Sequence, residues 1–207
     1  MIFNNRSISE ITDQELTDLI GNQEENLWID FKLKPYQRDP DDSEKYKHEI
    51  CKDVTAMANA EGGYILIGVS EKNKVAKTFI SVPEPDRVVQ SIKGICRRHI
   101  DLPILKLEIV QRDVEWYGNH ISLVIIHIPC SERAPHGFQS KGTTNYVIRD
   151  GDEIREYRHS ELIGAFSDSI HFPISIQADN KDTSQPIPSG SSENQECTEK
   201  SSKVYVS

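Results

Sequence analysis

An unbroken apolar run, Tyr64-Ile65-Leu66-Ile67-Gly68-Val69, follows directly after the pair Gly62-Gly63. A short continuous run of this kind, bounded by glycine, is typical of a buried strand. The glycine pair permits a turn with positive φ or the close approach of another chain. The sequence therefore predicts a strand in the interior of the fold, entered through a tight, glycine-dependent turn.

A second strand is predicted earlier in the chain, where every second residue from Leu27 to Leu33 is apolar. Side chains two apart point to the same face of a strand, so we expect these apolar residues to share the core face. Asp30 and Lys32 fall between them and are assigned to the opposite, non-core face.

The remaining pattern predicts helices alternating with strands. Capping signals and helical spacing predict helices near 12–20, 43–59, 83–99 and 160–166. Alternation or apolar content predicts strands near 105–109, 120–128 and 144–149, with a turn at 70–74 and a long polar loop at 129–143. We therefore expect an α+β domain whose mixed, mainly antiparallel sheet is flanked by helices.

The composition limits the folded part of the chain. Hydrophobic residues make up 36% of the 207 residues, and the region beyond Phe172 is dominated by Ser, Thr, Asn, Gln, Pro and charged residues. Such a segment buries too little apolar surface to offset its ordering entropy. We predict one domain over 1–172 and a disordered polar tail over 173–207.

Several classes of protein are disfavoured. The four cysteines are far apart and form no CxxC pair, so we expect no zinc site, and no Gly-Lys-Ser/Thr follows Gly62-Gly63, so we expect no ATP site. The chain shows neither a signal peptide nor an apolar stretch of membrane-spanning length, which favours a soluble protein of the cytoplasm. The formal charge of −9 means that any nucleic-acid binding requires a local basic patch or a bound metal.

Three segments stand in an informative order: 25–32, which ends in Ile29-Asp30-Phe31-Lys32, then 56–63, then 64–71. A later predicted strand contains Tyr146-Val147-Ile148-Arg149. In this order and spacing the chain resembles the Schlafen AlbA_2 family over about 25–166. The resemblance implies a nucleic-acid-binding domain with a mixed sheet and flanking helices, which also forms the nuclease core of Schlafen proteins.

In nuclease members, the resemblance implies a site of three carboxylates that cleaves RNA, notably tRNA, with a divalent metal. The matching positions here are Glu25, Asp30 and, in the turn after the buried strand, Glu71 in preference to Ser70. Carboxylate oxygens suit Mg²⁺ or Mn²⁺, which polarise a phosphate and lower the pKa of an attacking water.

Positive charge near this site is expected to contact the nucleic acid. Lys32 and Lys34 offset phosphate charge, and the planar guanidinium of Arg149 is suited to grip a phosphate beside the Gly62-Gly63 turn. Since larger Schlafens carry a duplicated domain around a two-lobed groove, a single copy is expected to form a homodimer, with RNA favoured over DNA as the ligand.

The same residues allow other interpretations. Asp30 and Lys32 also fit an ion pair on a solvated face, and Lys45 and its neighbouring lysines fit a solvated helix face. The acids are then structural, and the domain is a non-catalytic DNA- or RNA-binding regulatory module. A third possibility is a protein-interaction module whose tail recruits a partner.

The tail assignment predicts the outcome of limited proteolysis. Protease should remove residues beyond about Phe172 and leave a folded core, because an unpacked segment is cleaved first. Mass spectrometry of the resistant fragment measures the boundary. Protection of the tail from protease and from amide exchange would contradict the assignment.

Overall fold

The computed structural model describes residues 2–36 and 43–170, and the predicted tail at 173–207 lies outside the described residues. The strands are β1 (Ile29–Lys32), β2 (Gly62–Ile67), β3 (Val69–Lys72), β4 (Val75–Phe79), β5 (Ile100–Asp101), β6 (Glu108–Trp116), β7 (Asn119–Pro129), β8 (Gly137–Ser140), β9 (Thr143–Asn145), β10 (Val147–Asp150) and β11 (Glu153–Glu156). The helices are α1 (Asp13–Thr17), α2 (Ser43–Ala58), α3 (Pro85–His99) and α4 (His159–Ile170), with short 3-10 turns at Ile2–Asn5 and Ile8–Glu10.

A four-stranded sheet in the order β1-β2-β7-β6 forms the centre of the fold. β1 runs parallel to β2, and every other pair in this sheet is antiparallel. Smaller antiparallel sheets join β3 to β4, β10 to β11, and β5 to β8 and β9. This architecture confirms the predicted α+β class. None of the helices in the described ranges has the length and apolar character needed to cross a membrane.

The position of β2 between two cores explains why its sequence is apolar on both faces. Successive residues of a strand point to opposite faces. Ile65 and Ile67 therefore enter a core formed with α2 and α3, whereas Tyr64 and Leu66 enter a second core formed with β1 and the N-terminal segment. Covered on both faces, β2 is the interior strand that the sequence predicts.

Burial along β1 departs from the alternating pattern at Leu33 and at Asp30. Ile29 and Phe31 are buried as expected, but Leu33 is 45% exposed because β1 ends at Lys32. Asp30, on the predicted non-core face, is itself only 8% exposed. Side chains from α2 and β10 cover it.

Three local predictions fail where long-range pairing decides the structure. The start of the strand predicted at 105–109 is wrong, since Leu105 is exposed and β6 begins only at Glu108. The turn predicted at 70–74 is confined to Asn73 and Lys74, which have positive φ, because the preceding residues pair with β4. The loop predicted at 129–143 contains β8, whose fully buried Phe138 anchors the β5-β8-β9 sheet.

Asn59, just beyond α2, joins this region to the rest of the fold. Its side-chain nitrogen donates to the carbonyls of His136 at 2.8 Å and Val147 at 2.9 Å, and its side-chain oxygen accepts from the His136 amide at 2.6 Å. The Tyr157 hydroxyl donates to the Asn59 carbonyl at 3.2 Å. One buried amide thus satisfies backbone groups from two later segments that no sequence pattern links to it.

The Gly62-Gly63 pair is required by backbone packing. A Cβ at Gly62, where φ is +73°, would lie 2.5 Å from the Cys130 amide nitrogen, and one at Gly63, where φ is +146°, would lie 2.4 Å from the Trp28 carbonyl oxygen. Both positions combine a backbone conformation that favours glycine with the close approach of a neighbouring strand. Segments of the same chain therefore account for both glycines.

This packing predicts a large cost for Gly63→Ala. The methyl group would meet the Trp28 backbone, so we expect a loss of about 4 kcal/mol or more in the free energy of unfolding. Gly118→Ala is the matched control: φ there is +72° but nothing lies within 4 Å of the new Cβ, so only backbone strain of about 1–2 kcal/mol applies. Urea unfolding measures both, and equal losses would contradict the packing explanation.

Candidate functional site

Asp30 lies at the centre of the region that the sequence singled out. On β1 it shares a face with Lys32, whose Nζ forms an ion pair with Asp30 Oδ2 at 2.8 Å. That oxygen has no well-directed hydrogen bond, so charge attraction is its main stabilising contact. Asp30 Oδ1 faces the Arg149 guanidinium at 3.5 Å, the long limit of a hydrogen bond. The carboxylate is therefore placed between two cations.

Arg149 is a buried structural cation. Its Nε donates to the Asn26 carbonyl at 3.0 Å, its Nη2 donates to the Ile29 carbonyl at 3.3 Å, and its side chain is only 2% exposed. These contacts fasten β10 to the backbone of β1. Its donors are directed into the protein, so a phosphate would have to compete with these contacts for the Arg149 guanidinium.

Asp53 of α2 is a member of the site that the sequence analysis missed. It is 5% exposed, and its Oδ2 accepts from the Tyr36 hydroxyl at 2.9 Å and pairs with Lys32 Nζ at 3.1 Å. A detectable signal existed, since Asp53 falls three residues after Ile50 on the buried stripe of the helix. A carboxylate on an apolar stripe requires a buried partner. We call Asp30, Lys32, Asp53, Tyr36 and Arg149 the Asp30 network.

Burial and charge coupling shift three pKa values within the Asp30 network, those of Tyr36, Lys32 and Asp53, and the pKa of Tyr36 is raised by burial and then by the charges of Asp53 and Asp30. Burial alone would lower the pKa of Lys32, but the carboxylates of Asp53 and Asp30 raise it overall, so the ammonium stays charged. Burial, and then the charge of Asp30, raise the pKa of Asp53 although Lys32 opposes the shift. Lys32 is therefore the cation that holds two closely spaced acids together.

Glu25 and Glu71 approach this network differently. Glu25 Oε1 accepts a hydrogen bond from the Phe31 amide at 2.8 Å. Burial raises the pKa of Glu25, and repulsion by Asp30 and Glu71 raises it further, so both of the other predicted acids act on Glu25. Glu71 is exposed on β3, just after a register shift between Ser70 and Glu71, and not in the turn where it was expected.

The donor arrangement does not fit a resident divalent metal. In the ranges 2–36 and 43–170, no group of three or more His, Cys, Asp or Glu side chains is placed to hold a metal ion. The Asp30 carboxylate, the predicted central ligand, already faces Lys32 and Arg149. A cation entering there would have to displace both positive groups, one of which is buried and bonded to backbone.

The other predicted contacts divide between surface and interior. Lys34 is exposed two residues beyond β1 and is accessible to a ligand. Lys32 is partly exposed but engaged with Asp30 and Asp53. Gly62 and Gly63 are buried against neighbouring strands and present no open backbone.

A polar cleft of about 300 Å³ lies between the start of α2 and the β8–β9 hairpin. The residues that line it are Lys45, His48, Ser140, Lys141, Thr143 and Asn145. His48 Nδ1 lies 3.0 Å from Ser140 Oγ, which connects the helix to the hairpin. We call this feature the basic cleft. The sequence fits a solvated helix face for Lys45, because the hairpin opposite it is predicted as a loop.

Comparison with known proteins follows the sequence resemblance. A family model described as Schlafen, AlbA_2 matches residues 25–158. No curated protein matches the chain significantly. The solved DIP2311 protein from Corynebacterium diphtheriae is 20% identical, with a TM-score of 0.44, over 66% of this chain and 23% of that protein. The N-terminal domain of a RecG-related protein from Nitrosomonas europaea is 18% identical, with a TM-score of 0.47, over 72% of this chain and 96% of that domain.

Two charge-removing substitutions, at Asp30 and at Glu25, should change the free energy of unfolding differently. Asp30→Asn should lower the free energy of unfolding by about 3 kcal/mol, because buried Arg149 loses its carboxylate partner. Glu25→Gln should leave stability unchanged or slightly increased, since glutamine keeps the acceptor for Phe31 and removes a repelled charge. Urea unfolding at neutral pH measures both.

The pH dependence of stability tests the role of Glu25. Because the folded-state pKa of Glu25 is raised above its ordinary 4.5, its ionisation costs stability above the folded pKa, and that cost vanishes below about 4.5. Any advantage in stability of Glu25→Gln over the wild type should therefore shrink as pH falls through this range.

An increase in stability on Asp30→Asn would contradict the role given to Asp30. It would show that the Asp30 carboxylate is repelled by its surroundings, as in an empty metal site.

Proposed function

Because the chain belongs to the Schlafen AlbA_2 family, we propose that it is a nucleic-acid-binding domain that holds its ligand without cleaving it. The family model covers 25–158, which includes β1, α2, β2 and the β10–β11 hairpin. Nucleic-acid binding is the activity that this membership implies. Binding without cleavage is supported by the chain's own side chains.

The observation that carries this proposal is that Lys32 and Arg149 compensate the negative charge of the Asp30 carboxylate. A nuclease of the predicted kind needs carboxylates with free charge to attract a divalent cation. In this chain Asp30 is only 8% exposed and lies between Lys32 and Arg149, and Lys32 also pairs with Asp53. The charge that would hold a metal is satisfied within the protein, so the acids stabilise the junction of β1, α2 and β10.

RNA is the ligand class that we favour, and a homodimer is the form that we propose for the binding species. Both proposals extend the family resemblance, in which RNA is the substrate and two lobes form the groove. The formal charge of −9 disfavours contact over the whole surface, so binding must use local positive groups such as exposed Lys34. Light scattering across micromolar concentrations measures self-association.

The proposal predicts salt-sensitive binding without strand cleavage. Fluorescence anisotropy with labelled tRNA and single-stranded RNA should show affinity that falls about tenfold between 50 and 200 mM salt, if two or three phosphates are neutralised. Gel analysis after incubation with Mn²⁺ should show intact RNA. Single-stranded and duplex DNA serve as comparison ligands.

Two results would contradict the proposal in different ways. No binding to any of these nucleic acids at low salt would remove nucleic-acid binding as the function. RNA cleavage that stops in EDTA and is lost in Asp30→Asn and Glu71→Gln, but not in Ser70→Ala, would show a metal-dependent endoribonuclease that uses the three predicted acids.

A further inference from the structure

We infer that Ser131 is an activated nucleophile, with His136 as its general base, and that it accepts an acyl group from an uncharged activated ester. Ser131 lies just after β7 and is partly exposed, whereas His136 lies just before β8 and is fully buried. Ser131 Oγ lies 2.6 Å from His136 Nε2. The pair shares no residue with the Asp30 network, so the inference does not depend on nucleic-acid binding.

The contacts of the His136 imidazole fix which nitrogen carries the proton. Burial lowers the pKa of His136, so the ring is neutral at neutral pH. His136 Nδ1 lies 2.6 Å from the Leu102 carbonyl oxygen, and because a carbonyl only accepts hydrogen bonds, Nδ1 carries the hydrogen. Nε2 is then unprotonated, and the Ser131 hydroxyl donates to it. A hydroxyl that donates to an imidazole oriented by a third group is the arrangement that activates serine nucleophiles.

Backbone contacts at the end of α2 hold both members of the pair in place. The His136 amide donates to Asn59 Oδ1 at 2.6 Å, and the Ser131 amide donates to the Ala58 carbonyl at 3.3 Å. The Arg133 amide donates to Ser131 Oγ at 3.2 Å, which occupies a lone pair and leaves the hydroxyl hydrogen for His136. Nucleophile and base are thus fixed relative to each other before any ligand binds, which is what a precise reacting geometry requires.

Leu102, which orients the base, has a backbone conformation that leucine rarely adopts. Its φ is +58°, in the left-handed region, and its amide donates to Asp101 Oδ1 at 3.0 Å. Strain of this kind persists only where surrounding contacts hold it, and it is concentrated at functional sites. The Leu102 side chain is 38% exposed, so the residue that orients the imidazole also offers apolar surface to a ligand. An ester with an apolar acyl group therefore suits this site.

The acyl transfer balances with the groups that the site and the ester supply. A lone pair of Ser131 Oγ forms the bond to the ester carbonyl carbon, while the hydroxyl proton passes to His136 Nε2. The bond from that carbon to the leaving alkoxide then breaks, and the alkoxide takes the proton from Nε2, which leaves an acyl-serine and an alcohol. The exposed Arg133 side chain supplies positive charge for the carbonyl oxygen that becomes negative in the intermediate.

A fluorophosphonate probe tests the pair in the full wild-type chain, because it phosphonylates activated serines with loss of fluoride and spares thiols such as exposed Cys130. Peptide mass spectrometry should locate the label at Ser131, at a rate about a hundredfold or more above that of the urea-unfolded chain. Ser131→Ala should lose the label. The matched control is Ser140→Ala, which should keep it, since Ser140 lies 3.0 Å from His48 Nδ1 but is itself buried.

The pH dependence of labelling in the wild type supplies a readout that does not depend on the folding of a variant. Burial, and then the charge of Arg133, lower the pKa of His136 from its ordinary 6.5, although the Leu102 and Asp101 backbone and the Asp101 charge oppose the shift. The base is therefore available at pH 7, and the rate should be nearly equal at pH 7 and pH 8. An unassisted serine reacts through its alkoxide, whose fraction rises about tenfold per pH unit.

Two results would overturn the inference. One is labelling of Ser131 that is no faster in the folded chain than in urea. The other is a rate that rises about tenfold between pH 7 and pH 8. Either result would show that the hydrogen bond between Ser131 and His136 only fastens the turn between β7 and β8.

Discussion

The buried guanidinium of Arg149 is the constraint on which the arrangement of the site depends. It bonds to the carbonyls of Asn26 and Ile29 and faces Asp30, and thereby fixes the last hairpin to the first strand. A buried cation is tolerated only when carboxylate and backbone oxygens replace its hydration. The position of the Asp30 carboxylate is therefore determined by two cations: Arg149 on β10, and Lys32 on the same strand as Asp30.

Local pattern located most of the larger elements but did not reveal which residues cover them. Alternation in β1 placed Ile29 and Phe31 in the core correctly, and the apolar run identified β2 as an interior strand. The same alternation assigned Asp30 to the non-core face and left open whether that face is solvated, because period-two spacing shows which residues share a face but not what lies opposite. What lies opposite comes from Asp53 and Arg149, which are 23 and 119 residues away in sequence.

The candidate site shows the same division between residue identity and environment. The family resemblance selected Glu25, Asp30 and Glu71, and the pKa of Glu25 is raised by burial and then by the charges of Asp30 and Glu71. Their roles depend on partners that no local motif reveals: a backbone amide for Glu25, two cations for Asp30 and solvent for Glu71. The basic cleft escaped detection for a related reason, since β8 is a four-residue strand within a polar stretch and its single large apolar residue, Phe138, gave no periodic signal.

The contacts of Asn59 bear on the order in which the fold can be completed during synthesis. Its amide satisfies the carbonyls of His136 and Val147, 77 and 88 residues later in the chain, and Arg149 reaches back 123 residues to Asn26. When α2 and β2 have emerged from the ribosome, the nascent chain therefore still lacks the residues that complete the junction of β1, α2 and β10. Contacts of such long range form late and slow folding, so the N-terminal half emerges with Asp30 and Asn59 still hydrated, and the junction forms only after β10 has been translated.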